Sequence, residues 1–422
     1  MKRRDFLKLA AASAGASSLA GVTGCATTLP AKARVVVIGG GFGGATAAKY
    51  IRLWDPSVDV VLVERESSFT SCPISNLVLG GFSSMQEITT GYEGLRRHGV
   101  QVVRDEAIAV DAAKRTVRLA RGGDIAYERL VVSPGIDFNF GEVQGFEAAM
   151  NSGRVLHAWK AGAQTVELRR QLEQMPDGGV YILSIPLAPY RCPPGPYERA
   201  SMVAAYFRQA KPRSKVLVLD ANPDVTSKAG LFKAAWKDLY PGILEYRGNA
   251  KAVGVDAASM SVKLEVEDVK GDVLNVVPPH RAGDIALNTG LITSNNRWCD
   301  IDWRTMESKK VPGIHVLGDA TLSAPGMPKS ASMANNHGKI AAAAIVEQLR
   351  GRAPVPLQII NTCYSFVSQK EAIRVSSVHQ WDAGQGTLVA IKGSGGVSAA
   401  RSEAEGTYAW NWARTIWADS LA

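Results

Sequence analysis

Three stretches of the sequence predict an α/β fold. The first is a buried-strand run, Val35-Val36-Val37-Ile38, closed by Gly39, Gly41 and Gly44 at G-x-G-x-x-G spacing. The second is an apolar strand, Val180 to Ile185, that runs into a proline-rich turn. The third is a strand from Ile314 that ends in Gly318-Asp319. Together they imply two Rossmann-like dinucleotide-binding domains, the second degenerate, followed by a C-terminal region. At 422 residues the chain is too long for one simple core. The expected division is a signal segment at 1–33, a discontinuous dinucleotide domain at 34–145 and 281–352, a degenerate second domain at 146–280, and a third domain at 353–422.

Composition is that of a globular chain, 46% hydrophobic and 21% charged, which argues against broad disorder. The net charge is +9, and residues 1–33 hold five basic residues against Asp5. The remaining excess is modest and forms no Lys/Arg-rich run, so nucleic acid is not an expected partner.

Residues 1–33 read as an export signal. Arg3 and Arg4 precede Phe6-Leu7-Lys8 in a twin-arginine pattern, and an Ala-rich stretch from Leu9 to Val22 is too short to span a bilayer. Ala31-Lys32-Ala33 fits ordinary cleavage. Val22-Thr23-Gly24-Cys25 resembles a lipoprotein box that would leave a lipid anchor on Cys25; the competing reading discards Cys25 with the signal. Either way the expected location is periplasmic, where disulfides persist. No later segment is apolar and long enough to predict a transmembrane helix.

The glycine turn comes next. Gly39 permits the tight turn, Gly41 lets a pyrophosphate approach the backbone, and Gly44 lets the following helix, expected over Ala45 to Trp54, pack on the strand. A second strand from Val58 ends at Glu64, 20 positions past Gly44, where a carboxylate reaches the adenosine ribose. Arg65 beside it is assigned to the cofactor as well. A loop from Ser68 to Gly81 then carries Cys72, which reads as a small buried residue, as a nucleophile directed at the cofactor or as a redox thiol. Strands follow at Val100 to Arg104, Thr116 to Leu119 and Arg129 to Val132. The last ends in a turn through Gly135 that is expected to touch the cofactor.

The second unit opens with a helix, Ala161 to Gln174, and the strand Val180 to Ile185. A nicotinamide domain would place another glycine turn here. Pro186 to Ser201 carries five prolines instead. Proline removes N–H donors, so this turn is not expected to hold a second pyrophosphate. It presents Cys192, with Glu198 six residues on near the start of a helix, Tyr197 to Gln209. A rigid thiol beside a carboxylate is a candidate active site. Strands at Lys215 to Leu219 and Ser261 to Val266 complete the unit.

On returning to the first domain, the strand ending at Asp319 supplies an aspartate suited to the ribityl chain of FAD. Lys329 and Ser330 then lead into an Ala-rich helix through Leu349, whose N-terminus would stabilise negative charge on a reduced flavin. This second motif moves the expected cofactor from NAD to FAD. The third region opens with Ile360-Asn361-Thr362-Cys363 and closes with Trp410, Trp412 and Trp417, expected to pack on the first domain. No C-x-x-C or C-x-x-C-H occurs, and the six histidines lack metal spacing, so neither a metal site nor haem is expected on this chain. Cys299 reads as structural.

With these residues in hand, the chain resembles the flavoprotein subunits of flavocytochrome c sulfide dehydrogenase. The segments that carry the resemblance are GGGFGGATAAKYI, SCPISNLVLGG, APYRCPPGPYERAS, HVLGDA, MPKSASMANNHGK and NTCYS. The resemblance implies a glutathione-reductase-like fold whose C-terminal part is an interface domain. It implies FAD attached through an 8α-S-cysteinyl bond at Cys72, a redox disulfide between Cys192 and Cys363, and Glu198 as the active-site base. It also implies sulfide as substrate and a c-type cytochrome as partner. A sulfide:quinone oxidoreductase would use the same fold. A non-catalytic binding subunit would keep the fold without flavin.

Overall fold

The computed structural model describes residues 33–422. The twin-arginine pair, Cys25 and the Ala31-Lys32 cleavage position lie outside the described residues.

Arg34–Ile38 is an interior strand of a seven-stranded sheet, between Arg129–Val132 and Asp59–Glu64. Both neighbours run parallel to it, with Val36 opposite Val61 on one side and Leu130 on the other. Val35, Val36 and Val37 are fully buried, as expected for a parallel strand covered on both faces. Gln101–Arg104 extends the sheet on one side. On the other, Ile314–Val316 pairs parallel with Arg129–Val132, and two short antiparallel strands finish that edge. Strands from 34–132 and from 301–316 therefore share one sheet.

The first helix is longer than expected, Phe42–Trp54, because Gly43 and Gly44 are already helical. Close packing requires both these glycines and Gly338. A Cβ on Gly44 would lie 1.9 Å from the Gly39 carbonyl, and one on Gly338 would lie 2.5 Å from the Gly43 carbonyl. The helix Ala331–Leu349 thereby crosses the first helix backbone to backbone.

A five-stranded, all-parallel sheet forms the second unit, in the order Val155–Leu156, Val273–Val276, Val180–Ile185, Lys215–Asp220, Leu244–Arg247. The helix after the proline turn starts at Gly195 rather than Tyr197, because Pro196 suits a first helical turn. The expected strand Ser261 to Val266 stops at Leu264 and belongs to a separate antiparallel sheet.

Residues 359–397 form an antiparallel sheet led by Ile359–Phe366 and Ala372–Asp382. The closing helix, Glu403–Leu421, packs on the first domain through polar groups as well as through its tryptophans. Asp419 accepts from Tyr50 at 2.6 Å, from Asn335 at 2.8 Å and from Lys339 at 2.8 Å. Trp410, Trp412 and Trp417 also pack on that domain, half-buried, in a cluster with Ile74 and Val78 that includes Phe366. No helix among the described residues is long and apolar enough to cross a membrane.

Candidate functional site

A cavity of about 670 Å³ opens along the C-terminal ends of the first sheet. Its lining runs from Glu64, Arg65 and Glu106, past Gly39, Gly41 and Gly43, to Asp319 and Ser330, and on to Cys72, Cys192, Glu198 and Cys363. This is the switch point of a parallel sheet, where such folds bind ligands.

The cradle end fits a dinucleotide. Glu64 Oε2 accepts the Gly40 N–H at 2.7 Å and Oε1 accepts the Glu66 N–H at 2.9 Å, which fixes the carboxylate beside the glycine turn. A Cβ on Gly41 would meet nothing within 4 Å, so that backbone faces open space. Arg65 is exposed and lies 3.6 Å from Glu106. Gly135 lines the cavity with φ +64. Gly44 stands off it and serves packing alone. Asp319 lines the cavity, and its buried Oδ1 has no hydrogen-bond partner within the protein, which fits it to accept from a cofactor hydroxyl. Burial pushes this carboxyl up, against the pull of Arg191 and Lys329. Ser330 caps the helix Ala331–Leu349 through the Met333 N–H at 3.1 Å, and the first turn of that helix lines the cavity.

Lys329 departs from the expectation. Its side chain does not line the cavity; the ammonium is buried 3.7 Å from the centroid of the Trp298 ring and donates to the carbonyls of Asp319 and Thr321. Burial pushes it down to about 7. Its main chain serves the site instead, since the Lys329 carbonyl accepts the Cys192 N–H at 2.8 Å.

At the other end three cysteines line the cavity. Cys72 lies in a loop held by Ser71 N–H to the Ile88 carbonyl, 2.8 Å, and by Ser75 Oγ to the Cys72 carbonyl, 2.6 Å. Two residues on, Ile74 is held at φ 75, costly for a β-branched side chain. Cys192 has φ 59, a left-handed conformation held by its own N–H to Lys329 and by Gly195 N–H to its carbonyl. Cys363 is buried on the strand Ile359–Phe366, and its Sγ lies 3.3 Å from Asn361 Oδ1. Cys72, Cys192, Cys299 and Cys363 all carry free thiols, so the expected bridge between Cys192 and Cys363 is not closed. Burial pushes the Cys192 thiol far up, reinforced by Cys363 and Glu198. Burial also raises Cys363, opposed by Lys228, Ser330 and Asn361.

Glu198 is buried between the two thiol-bearing elements. It accepts from Asn76 Nδ2 at 2.7 Å and from the Phe366 N–H at 2.8 Å. Arg199 Nε donates to Asn76 Oδ1 at 3.1 Å, so the amide is oriented with its NH₂ toward Glu198. Burial raises the Glu198 pKa in spite of these donors. Burial of this kind favours the protonated form, which suits a group that exchanges a proton.

Sequence reasoning missed Asn76, Trp159, Arg199 and Lys228. Asn76 sits inside the SCPISNL segment without a distinguishing pattern. Lys228 is buried, and its Nζ donates to the Cys363 carbonyl at 3.2 Å and to Ser365 Oγ at 2.9 Å.

The proline turn offers no phosphate cradle. The N–H groups of Ala188, Arg191, Cys192 and Gly195 are all engaged within the protein. Asp220, at the end of the next strand, is where a second ribose would be bound. Its oxygens are taken by Asn222, by Tyr197 at 2.8 Å and by Tyr246 at 3.0 Å.

Comparison with known proteins agrees with this architecture. Residues 33–170 match the family described as pyridine nucleotide-disulphide oxidoreductase. Residues 165–278 match the central part of the sulfide dehydrogenase [flavocytochrome c] flavoprotein chain, and residues 356–421 match the flavocytochrome c sulphide dehydrogenase flavin-binding family. The flavoprotein chain of sulfide dehydrogenase [flavocytochrome c] from Chlorobaculum thiosulfatiphilum is 62% identical over 45 residues, 11% of this chain and 94% of that one. The mitochondrial sulfide:quinone oxidoreductase of Mus musculus is 25% identical over 328 residues, 75% of this chain and 71% of that one. Among solved structures, the sulfide:quinone oxidoreductase of Aquifex aeolicus superimposes with a TM-score of 0.75 at 17% identity, covering 92% of this chain and 91% of that one.

Proposed function

This chain belongs to the flavocytochrome c sulfide dehydrogenase flavoprotein family, within the FAD-dependent pyridine nucleotide-disulphide oxidoreductases, and we propose that it oxidises sulfide through a Cys192–Cys363 disulfide and FAD. The observation that carries this reading is a convergence. Cys192 and Glu198, neighbours in one short segment, and Cys363, far away in sequence, line one end of the cavity that the dinucleotide cradle lines at the other.

The flavin is FAD, held by Glu64, the Gly39–Gly43 turn, Asp319 and the Ser330 helix end, and linked covalently to Cys72. Bound there, it supplies acceptance of an electron pair and release of single electrons.

The chain's own part is thiol chemistry. Hydrosulfide attacks one sulfur of the bridge; a new S–S bond forms, the bridge S–S bond breaks, and the electron pair leaves on the other cysteine as a thiolate. The products are one cysteine persulfide and one thiolate. Glu198 takes up or returns the proton, because burial holds its pKa up and Asn76 and Phe366 hold it in place. The helix end at Ser330 favours negative charge in the cavity. A second hydrosulfide takes the outer sulfur, breaking the persulfide S–S bond and leaving a second cysteine thiol; the sulfur departs as hydrodisulfide, the source of polysulfide and elemental sulfur, and re-closure of the bridge would give two electrons to the bound flavin.

The proposed setting is the periplasm, reached by twin-arginine export, with a c-type cytochrome subunit as electron acceptor. Quinone is the competing acceptor, favoured by the likeness to sulfide:quinone oxidoreductases. The test is anaerobic: purified protein, sulfide, and either cytochrome c or a soluble quinone. The flavin should bleach on sulfide addition and cytochrome c should recolour it. Recovery with quinone alone would replace the cytochrome, and a protein without flavin would reject catalysis.

A further inference from the structure

We propose that Lys228 is the fixed counter-cation for the negative charge that opening of the Cys192–Cys363 bridge releases. This rests on the disulfide reading above and adds a residue that no motif in the chain marks.

The geometry is specific. Lys228 precedes the helix Ala229–Leu239 and takes a left-handed backbone, φ 56 and ψ 36. A lysine on a surface turn gains nothing from that strain. Here its main chain is held by its carbonyl, which accepts the Leu231 and Phe232 N–H groups at 3.0 Å each. Its side chain runs inward, where Nζ meets the Cys363 carbonyl and Ser365 Oγ. An ammonium carries three N–H donors, and these two bonds leave one unassigned. A buried ammonium is costly unless an anion faces it.

Among the described residues no carboxylate forms an ion pair with Lys228; its ammonium is bonded to a carbonyl and a hydroxyl. The titratable groups facing Lys228 are Cys363, Glu198, Cys192 and Glu405. Glu405 is directed elsewhere through Oε1, which meets Ser398 Oγ at 2.8 Å and Arg374 at 3.7 Å, while its buried Oε2 has no hydrogen-bond partner. Glu198 is pushed toward its neutral form by burial, and both thiols are pushed toward theirs. The other nearby cations are Arg191 and Arg199. Arg199 is engaged by neutral acceptors, the carbonyls of His157 and Ala158 and the amides of Asn76 and Asn275. In the resting site the Lys228 ammonium is thus held by neutral oxygens rather than by a carboxylate.

Bridge opening supplies the missing anion. Hydrosulfide enters with one negative charge; after attack that charge sits on the departing thiolate or, after proton exchange, on the persulfide. Either position lies on the pair that Lys228 faces. The ammonium stabilises the opened form and leaves the closed bridge, which is neutral, unaffected. Burial pushes Lys228 down to about 8, with Cys363 first among the groups that hold it up.

The test compares wild type, Lys228→Met and Lys228→Arg as flavin-containing protein reduced with dithiothreitol. Alkylation of Cys192 and Cys363 by iodoacetamide is followed by peptide mass spectrometry from pH 5 to pH 10, with buried Cys299 as the unreactive control. Lys228→Met should move the alkylation midpoint of the pair up by about one pH unit, a tenfold change in thiolate fraction at neutral pH, and Lys228→Arg should restore most of it. Midpoints that coincide in wild type and Lys228→Met overturn the proposal. If Lys228→Met does not fold, Ser365→Ala keeps the ammonium and removes one of its anchors; its midpoint should rise too, and an unchanged one overturns the proposal. Sulfide bleaching is scored in parallel. A wild type that shows the Lys228 dependence but does not bleach rejects the sulfide reading alone.

Discussion

Phe366 donates its backbone N–H to Glu198 Oε1 at 2.8 Å, and this bond ties the helix behind Cys192 to the strand that carries Cys363. In the proposed mechanism one carboxylate thus serves both proton chemistry and the register of the two thiols. Glu198→Gln separates the roles: the amide oxygen can keep the Phe366 bond, while its NH₂ opposes the Asn76 NH₂. The variant should retain flavin and dithionite bleaching, yet lose about 10²-fold or more in sulfide-dependent bleaching, the usual scale for a lost acid–base group. Stopped-flow absorbance checks this; a loss below threefold would remove Glu198 from the chemistry.

NADH should not reduce the flavin. Proline replaces the second phosphate loop, the N–H groups of Ala188, Arg191, Cys192 and Gly195 are occupied, and Tyr197 and Tyr246 occupy Asp220. Anaerobic titration with micromolar NADH should leave the flavin oxidised. Rapid bleaching would show that a pyrophosphate can bind without the glycine turn.

Cys72 should hold the flavin covalently. Acid-precipitated wild type should stay yellow, and Cys72→Ser should release its flavin into the supernatant. Quantitative release from wild type would refute the linkage.

Asp419 should contribute to stability through Tyr50, Asn335 and Lys339. Burial alone would raise its pKa; those partners outweigh burial and lower it. A lowered carboxyl stabilises the fold above the unfolded pKa of about 4 and loses that contribution as pH falls through the folded pKa. Asp419→Ala should lower stability by about 1–3 kcal/mol at pH 7, with the difference shrinking below pH 4. Denaturant melts at the two pH values measure it; an equal difference at both would contradict the charged form as the cause.

How much of the fold and site is legible in the sequence depends on whether the determinant is local. Gly39, Gly41 and Gly44 with Glu64 announce the cradle, because a strand, a turn and a helix dictate it within one short segment. The proline turn likewise argues against a second phosphate site from its composition alone, since five prolines remove the donors such a site needs. Helix starts differ by two or three residues where glycine or proline belongs to the first turn, at Phe42 and Gly195. Lys329 is misplaced by sequence reasoning because the sequence shows only that it precedes a helix. That its ammonium turns onto Trp298 is decided by tertiary packing. Lys228 and Asn76 are invisible for the same reason. Each reaches a partner more than a hundred positions away, Cys363 and Glu198 respectively.

The most direct test of the account replaces each bridge cysteine in turn. Cys192→Ser and Cys363→Ser should each keep flavin, keep dithionite bleaching and lose sulfide-dependent bleaching in anaerobic stopped-flow absorbance. Near-normal bleaching in both variants would mean that sulfide reduces the flavin without the two thiols, and would contradict the disulfide as first electron acceptor.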